Sequence, residues 1–450
     1  MISVYESVAI ARDRVLGRRS AGSVDLPELV RDRIRQVFGE NLTAAQVVDR
    51  IVADVRVSGD SAIRRYTAAF DGVSLDELAV DESELDLAMS AISQDLRDAL
   101  SCAADRIRVF HERSRRNTWL DFSDGGVLGQ MVVPIDRVGI YAPGGRAVYP
   151  STVLMAAIPA RVAGVRDVTV VTPPGEDGRV NPLVLAAARV AGVDRVYRVG
   201  GAQAIAALAF GTKAIQRVDK IVGPGNLFVV LAKQAVASIV GLDGLPGPTE
   251  TVVIADSTAN PRWIAWDMLA QAEHDPLAQS LVIATDRTLV ERILEELRAL
   301  LPSTPRHEII ASSFRERGAV VVAASLEEAI DFANEHAPEH LCLAIANPWE
   351  QLGKVRNAGG VFVGERSVEA IGDYTAGPSH IMPTGGTARF ASPLTVDDFT
   401  KIISVFGFGD AQIHDLGIPA IALARAEGLM AHASAIEARL AEPGQRSVVP

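Results

Sequence analysis

The chain has 450 residues, 48% of them apolar, and a formal net charge of -12. That length allows about three average domains, the apolar share can fill large cores, and the acidic balance argues against a protein that tracks nucleic-acid phosphates. No apolar run approaches the roughly 20 residues a bilayer needs. The opening MISVYESVAIARDRVLGRRS lacks the unbroken apolar stretch of a secretory signal, and the only cysteines, Cys102 and Cys342, exclude a disulfide scaffold and a cysteine-built zinc site. The expectation is a reduced, cytoplasmic, soluble protein.

Residues 1 to about 120 are rich in charge and read mostly as helices, with helical spacing over Arg31–Phe38, Ala44–Val55 and Leu85–His111. From Gly126 the texture changes. Short Val/Ile runs at Val138–Tyr141, Val168–Thr172, Thr251–Ala255, Leu281–Ala284 and Ala319–Ala323 alternate with alanine-rich helical stretches. Strands alternating with helices predict an α/β fold with mostly parallel sheets. A near-repeat agrees: RVAGVRDVTVV at Arg161 is echoed by RVAGVDRVYRV at Arg189, each a helix end, a glycine turn and a strand. Gly-Pro-rich breaks fall at Ala142–Arg146, Gly223–Asn226, Gly241–Thr249 and Gly372–Gly386. They place seams near Tyr141 and Thr249, with a further seam after Pro393. A last helix starts near Leu429, with Leu429, Ala433, Ile436 and Leu440 on one stripe, and residues from Glu442 read as a loose tail.

In NPRWIAWDMLAQAEHDP, Asn260 suits a helix cap and Pro261 a first helical position. Ile264, Ala265, Met268 and Ala272 form a buried stripe. Asp267, Gln271 and His274 line up beside it, able to present an oxygen and an imidazole to one ion or to form a plain polar flank. In SLEEAIDFANEHAPEHL, Ser325 and Glu328 make a capping box and Pro338 stops the helix. Glu335 and His336 read as solvent-side. Glu339 and His340 fall beyond the stop, before the apolar strand LCLAI. They are either chemistry or a pair bonded to loop backbone. Open α/β sheets usually bind ligands at the carboxyl ends of strands. A pair at an amino end needs another domain or subunit to bring the ligand. Cys342, on the same strand face as His340, is either a nucleophile or an inert core thiol. Asp373 and His380 lie in a glycine-rich loop, and His432 on the last helix, with Glu427 near its start, reads as surface. No GxGxxG follows a strand. VGGAQ and VGPGN do follow strand-like runs, as phosphate-admitting loops or as generic turns.

In this order the motifs resemble histidinol dehydrogenase: YAPGG at Tyr141, STVLMAAIPARVAG at Ser151, GGAQAIAALAFGT at Gly200, KIVGPGN at Lys220, GPTE at Gly247, QAEHDP at Gln271, PEHL at Pro338, GDYTAGPSHIMPTGGTARF at Gly372 and AEGLMAH at Ala426. The match runs from about residue 30 to 440. The resemblance implies two related α/β/α domains of the aldehyde-dehydrogenase-like kind, with small N- and C-terminal segments. The domains would be residues 30–140 with 249–394, and an inserted 141–248. A helical segment 1–29 and a C-terminal segment 395–450, swapped onto the partner of a homodimer, complete the chain.

The resemblance further implies one zinc per subunit, held by Gln271, His274, Asp373 and His432. It implies His340 as base with Glu339 its partner, and NAD at Tyr141, Gln203 and Asn226. Substrate would meet Thr249, Gln271, His274, His340, Asp373, Glu427 and His432. The implied reaction is four-electron oxidation of L-histidinol to L-histidine through bound histidinaldehyde, with two NAD, at the end of histidine biosynthesis. Thr249 stands where some members carry Ser, and Pro246 where Ala is common. Dehydrogenases of sulfonated diols are similar, but the Glu427 carboxylate suits a cationic or N–H-donating substrate and repels a sulfonate. A zinc hydrolase or a non-catalytic metal-binding dimer are the readings from other classes.

Overall fold

A computed structural model describes residues 2–17, 26–123, 125–144 and 148–441. The chain forms two compact units, Met1–Ser114 with Ile135–Phe399, and Arg115–Pro134 with Thr400–Pro450. The described strands are β1 (Ser3–Tyr5), β2 (Trp119–Asp121), β3 (Val127–Pro134), β4 (Arg137–Tyr141), β5 (Asp167–Thr172), β6 (Arg195–Arg198) and β7 (Lys220–Val222). They continue with β8 (Gly241–Leu242), β9 (Glu250–Ala255), β10 (Gln279–Ala284), β11 (Ala319–Val322), β12 (His340–Ala344), β13 (Gly360–Val363) and β14 (Thr400–Gly407).

The larger unit holds two sheets, ordered β6-β5-β4-β7-β8 and β1-β11-β10-β9-β12-β13, with every pairing parallel. The α/β expectation therefore holds. All residues of β9, β10 and β12 are buried, as apolar runs covered on both faces must be. The near-repeat is real. Helix Pro150–Ala163 ends at Gly164 (φ +95°) before β5, and helix Pro182–Ala191 ends at Gly192 (φ +70°) before β6. Glycine closes both turns because a left-handed residue ends each helix.

Each sheet is a middle layer. Val138, Ile140, Val168, Val170 and Val196 pack on one side with helices Glu82–Ala91, Gln94–Arg113, Pro150–Ala163 and Pro182–Ala191. Val171, Tyr197 and Ile221 pack on the other with helices Ala44–Ser58, Asp60–Phe70, Gly201–Phe210 and Leu227–Val236. In the second sheet, Val253, Val282 and Cys342 meet helices Pro261–Ala272 and Arg287–Leu300, while Val252, Leu281 and Leu341 meet Val8–Val15 and Leu326–His336.

Packing groups the amino-terminal residues differently from the grouping expected of 30–140 with 249–394. The helices from Glu28 to Arg113 complete the cores of the β4–β8 sheet, because their apolar stripes face its strands. The segment expected to be helical, 1–29, contributes β1, which pairs with β11 in register Ser3↔Ala319. The long helix expected over Leu85–His111 is two helices. Ser93 breaks it by capping the second through the Leu96 N–H.

The smaller unit is an antiparallel sheet, β14-β3-β2, with helices Asp410–Ala426 and Met430–Ala441. Gly428 (φ +76°) turns the chain between these helices, and Gly417 lets them approach, since a Cβ there would lie 3.0 Å from Ile436 Cγ2. Ala433 is buried, as the expected stripe requires. The tail from Glu442, and part of the break at Ala142–Arg146, lie outside the described residues.

Candidate functional site

Sheet order makes β9 and β12 neighbours although two strands, β10 and β11, intervene between them in sequence. Glu250 opens β9 and His340 opens β12, so the amino ends of these strands lie side by side. Helix Leu326–His336 ends at Ala337, the one non-glycine residue among those described with positive φ, +50°. That conformation costs an L-residue about 1 kcal/mol. It steers Glu339 and His340 inward, leaving both side chains under one-tenth exposed.

Glu339 Oε2 accepts two bonds, from the Thr249 hydroxyl at 2.6 Å and the Glu250 N–H at 3.0 Å. Gln271 Nε2 lies 2.9 Å from His340 Nδ1, and Gln271 Oε1 lies 3.2 Å from Thr249 Oγ1. The single Thr249 proton serves one acceptor at a time, and the shorter contact is to Glu339. His340 Nε2 is buried without a hydrogen bond and stands 4.0 Å from Asp373 Oδ1. Of the two readings of this pair, loop fastening is met by Glu339, which bonds β9, while His340 turns its unbonded nitrogen toward a carboxylate.

Burial dominates the proton affinities. It lowers His340 to about 3, helped by the charges of His380 and His274, so the imidazole is neutral at pH 7. It raises Glu339 to about 8 against the pull of its two hydrogen bonds, and raises Asp373 to about 6. Two carboxyl groups held back from ionising in one pocket are a place where a cation would be stabilising.

Sequence reading missed Glu369. It begins the helix Glu369–Tyr374, four residues before Asp373, so the two share a face. Its Oε1 lies 3.1 Å from His340 Nδ1, and burial lifts its pKa well above the usual carboxyl range. The i, i+4 pair in EAIGD was the available signal.

The helix Pro261–Ala272 starts as expected, with Asn260 capping Arg262 and Trp263, and its predicted stripe is buried. It stops sooner than Pro276, so His274 lies beyond the helix, solvent-accessible, yet with enough protein around it to lower its pKa. Asp267 is partly buried and raised to about 6. His380 Nδ1 donates to the Asp373 carbonyl at 2.8 Å, which leaves Nε2 to accept from Thr152 Oγ1 at 3.3 Å. His380 therefore fastens the backbone that carries Asp373. The same glycine-rich loop is tied to β9, where Gly385 N–H donates to Glu250 Oε2 at 3.1 Å. Among the described residues no three His, Cys, Asp or Glu side chains close up as a metal cage.

One expectation is corrected. His336 is fully buried rather than solvent-side, on a helix whose Asn334 bonds Lys354, Arg356 and Asn357. Glu335 is half-exposed and pairs with Arg12. Glu427 caps the carboxyl end of helix Asp410–Ala426, three residues ahead of the last helix, Met430–Ala441. Cys342 is buried with its thiol pushed well up, an inert core cysteine. Glu427 and His432 are both exposed on the smaller unit.

The first sheet has its own reversal of strand order. From β4 the chain runs outward to β5 and β6, then returns to β7 on the opposite side of β4. Ligands of open α/β sheets bind at such a reversal, at the carboxyl ends. Tyr141 ends β4 and the Gly223–Asn226 turn follows β7, so both sit there. The Tyr141 hydroxyl accepts the Gly201 N–H at 3.1 Å, and burial raises its pKa to about 12. Gln203, on helix Gly201–Phe210, is buried, and Asn226 is exposed and caps the helix Leu227–Val236. A Cβ on Gly223 would meet the Tyr141 carbonyl at 2.2 Å. Asp71, a further residue the sequence did not flag, ends helix Asp60–Phe70 with a buried, unbonded Oδ2 and bears electrostatically on Tyr141.

The histidinol dehydrogenase family profile matches residues 35–440. The chain is 50% identical over 432 residues to histidinol dehydrogenase of Deinococcus radiodurans, covering 96% of this chain and 98% of that one. It is 50% identical over 405 residues to the Geobacter metallireducens enzyme, covering 89% and 92%. A crystal structure of histidinol dehydrogenase from Elizabethkingia anophelis superposes with a TM-score of 0.89 at 35% identity, covering 98% of each chain. By this profile match and these identities over nearly its whole length, the chain belongs to the histidinol dehydrogenase family.

Proposed function

We propose that the chain oxidises L-histidinol to L-histidine through bound histidinaldehyde, closing histidine biosynthesis in the cytoplasm, with two NAD per turnover and one zinc per subunit. The observation that carries this reading is His340 Nε2, buried and unbonded, 4.0 Å from Asp373 Oδ1, in a pocket lined by Gln271, Glu339 and Thr249.

The donor set fits a zinc ion. Neutral His274, the Gln271 amide oxygen and Asp373, whose ionisation burial opposes, would hold it with His432. Zinc, when bound, orients the substrate's nitrogen and alcohol groups and stabilises charge on them. Neutral His340 accepts the alcohol proton at Nε2 once Nδ1 carries the ring proton toward Glu369 Oε1, 3.1 Å away; the Gln271 amide nitrogen, 2.9 Å from Nδ1, favours the opposite tautomer until Gln271 turns to the metal. Glu339, held by Thr249 and the Glu250 N–H, takes a proton from water once the aldehyde has formed. A nearby cation would lower its pKa into the range this needs. Burial of the pocket keeps the reactive aldehyde from bulk water. The β4/β7 reversal fits NAD, which supplies the hydride acceptor, with Tyr141, Gln203 and Asn226 as its contacts.

His432 and Glu427 reach the substrate from the swapped tail, as the partner's His432 and the partner's Glu427 in a homodimer. The exposed Phe406, Leu416, Ile418 and Leu423 of the smaller unit support a partner-facing surface. NADH counted per histidinol, with and without a chelator, tests the proposal. Two per substrate, lost on chelation, is the expected result; one, or chelator-resistant turnover, defeats it. A sulfonated diol offered as substrate separates the related dehydrogenase reading.

A further inference from the structure

Lys233 and Asp243 pair at 2.7 Å with both side chains 1% exposed. Lys233 lies on the last turns of the helix Leu227–Val236, and Asp243 follows β8. Burying two charges is expensive, and replacing such a pair by apolar groups is often neutral or stabilising. Stability alone therefore does not account for it.

What the pair holds is one residue. Lys233 Nζ donates to the Gly223 carbonyl at 2.6 Å, and Asp243 Oδ2 accepts the Gly223 N–H at 2.7 Å. Both polar groups of Gly223 are thus closed into a ring with the ion pair. The flanking strands are short, β7 with three residues and β8 with two, and the turn's other end is fixed by Asn226, whose side chain accepts the Phe228 and Val229 N–H groups. Gly223 itself sits at φ +107°, pressed against the Tyr141 carbonyl, and Asn226 follows three residues later.

We propose that the Lys233–Asp243 pair is a positioning device for the nicotinamide cofactor: it locks the Gly223 turn so that Asn226 is presented beside Tyr141. This rests on the reading that Tyr141 and Asn226 take NAD. The pair touches no cofactor itself and acts through Gly223.

The test is steady-state kinetics of the full-length enzyme. Lys233→Met/Asp243→Leu removes both charges together, so neither is left buried alone. The expected result is a KM for NAD at least tenfold higher, with the histidinol KM unchanged and kcat within threefold. Lys233→Met/Asp243→Asn restores an acceptor for the Gly223 N–H and recovers most of the NAD KM. A purely structural pair would move thermal stability without splitting the two KM values. A folded Met/Leu variant with its NAD KM within twofold of the parent overturns the proposal. Asn226→Ala separates the two readings. If it raises the NAD KM while the Met/Leu variant does not, only the positioning role fails; if neither moves it, the cofactor site is elsewhere. Should the double variants not fold, hydrogen exchange of the parent decides. A peptide spanning residues 221–226 already protected without NAD supports a preset turn, and free exchange there overturns it.

Discussion

Glu369 Oε1 lies 3.1 Å from His340 Nδ1, and neither side chain is more than 6% exposed. A carboxyl behind one imidazole nitrogen sets which nitrogen keeps the proton. Glu369→Gln keeps the volume but can present its amide nitrogen instead, favouring the tautomer in which Nε2 has no lone pair. We expect kcat to fall about a hundredfold with little change in the histidinol KM. Equal losses in wild type and variant across pH, or an unchanged kcat, would remove Glu369 from the mechanism.

His340 and Glu339 separate in time. His340→Ala should lower kcat by about a thousandfold for the first oxidation, the usual scale for losing a general base. Glu339→Gln should leave that oxidation largely intact and stall the second. NADH per histidinol would drop from two toward one, with aldehyde trapped by a carbonyl reagent. Two NADH from the Glu339→Gln enzyme would dismiss its role in activating water.

Removal of bound metal should abolish turnover, and added zinc should restore it. Because the ion binds only the folded pocket, the metal-free protein should also melt at a lower temperature. A thermal scan reads this independently of activity. Identical melting curves would count against a zinc held by Gln271, His274 and Asp373.

Cys342→Ser should keep full activity, because burial holds the thiol protonated and its neighbours Val253 and Phe362 are core residues. Loss of the second oxidation alone in this variant would reinstate a thiol route.

His111 is fully buried with neither ring nitrogen hydrogen-bonded, and burial lowers its pKa to about 4. Between its ordinary 6.5 and about 4 the unfolded chain binds a proton that the native state refuses. Stability from this site is therefore present above pH 6.5 and lost as pH falls through that window, by up to about 3 kcal/mol. Urea unfolding at pH 7 and 4.5 should show a smaller acid loss in His111→Leu than in the parent.

Much of the architecture was legible because buried parallel strands and alanine-rich helices leave strong periodic marks. The repeated RVAGV turns even located two helix ends. Partnership between layers was less legible. Nothing in the pattern of Ala44–Ser58 states which sheet its stripe of Val47, Val48 and Ile51 will cover. Glu339, His340 and Gln271 could be singled out as polar residues beside apolar runs. Lys233 escaped because a lone charge in LFVVLAKQAV looks like solvent-facing helix until burial is known, and Glu369 because the acidic pair of EAIGDY looks the same. His336 failed in the reverse direction, since its place at the edge of the helical stripe does not tell which neighbours bury it.

The two sheets expose opposite strand polarities. Tyr141 and Gly223 stand where β4 and β7 finish, whereas Glu250 and His340 stand where β9 and β12 begin. On the proposed reading, selectivity toward redox partner and toward alcohol would be encoded on separate scaffolds. An engineer can redraw one, for instance grafting turns that admit a phosphorylated dinucleotide onto residues 141–226, while leaving the other scaffold's donors untouched.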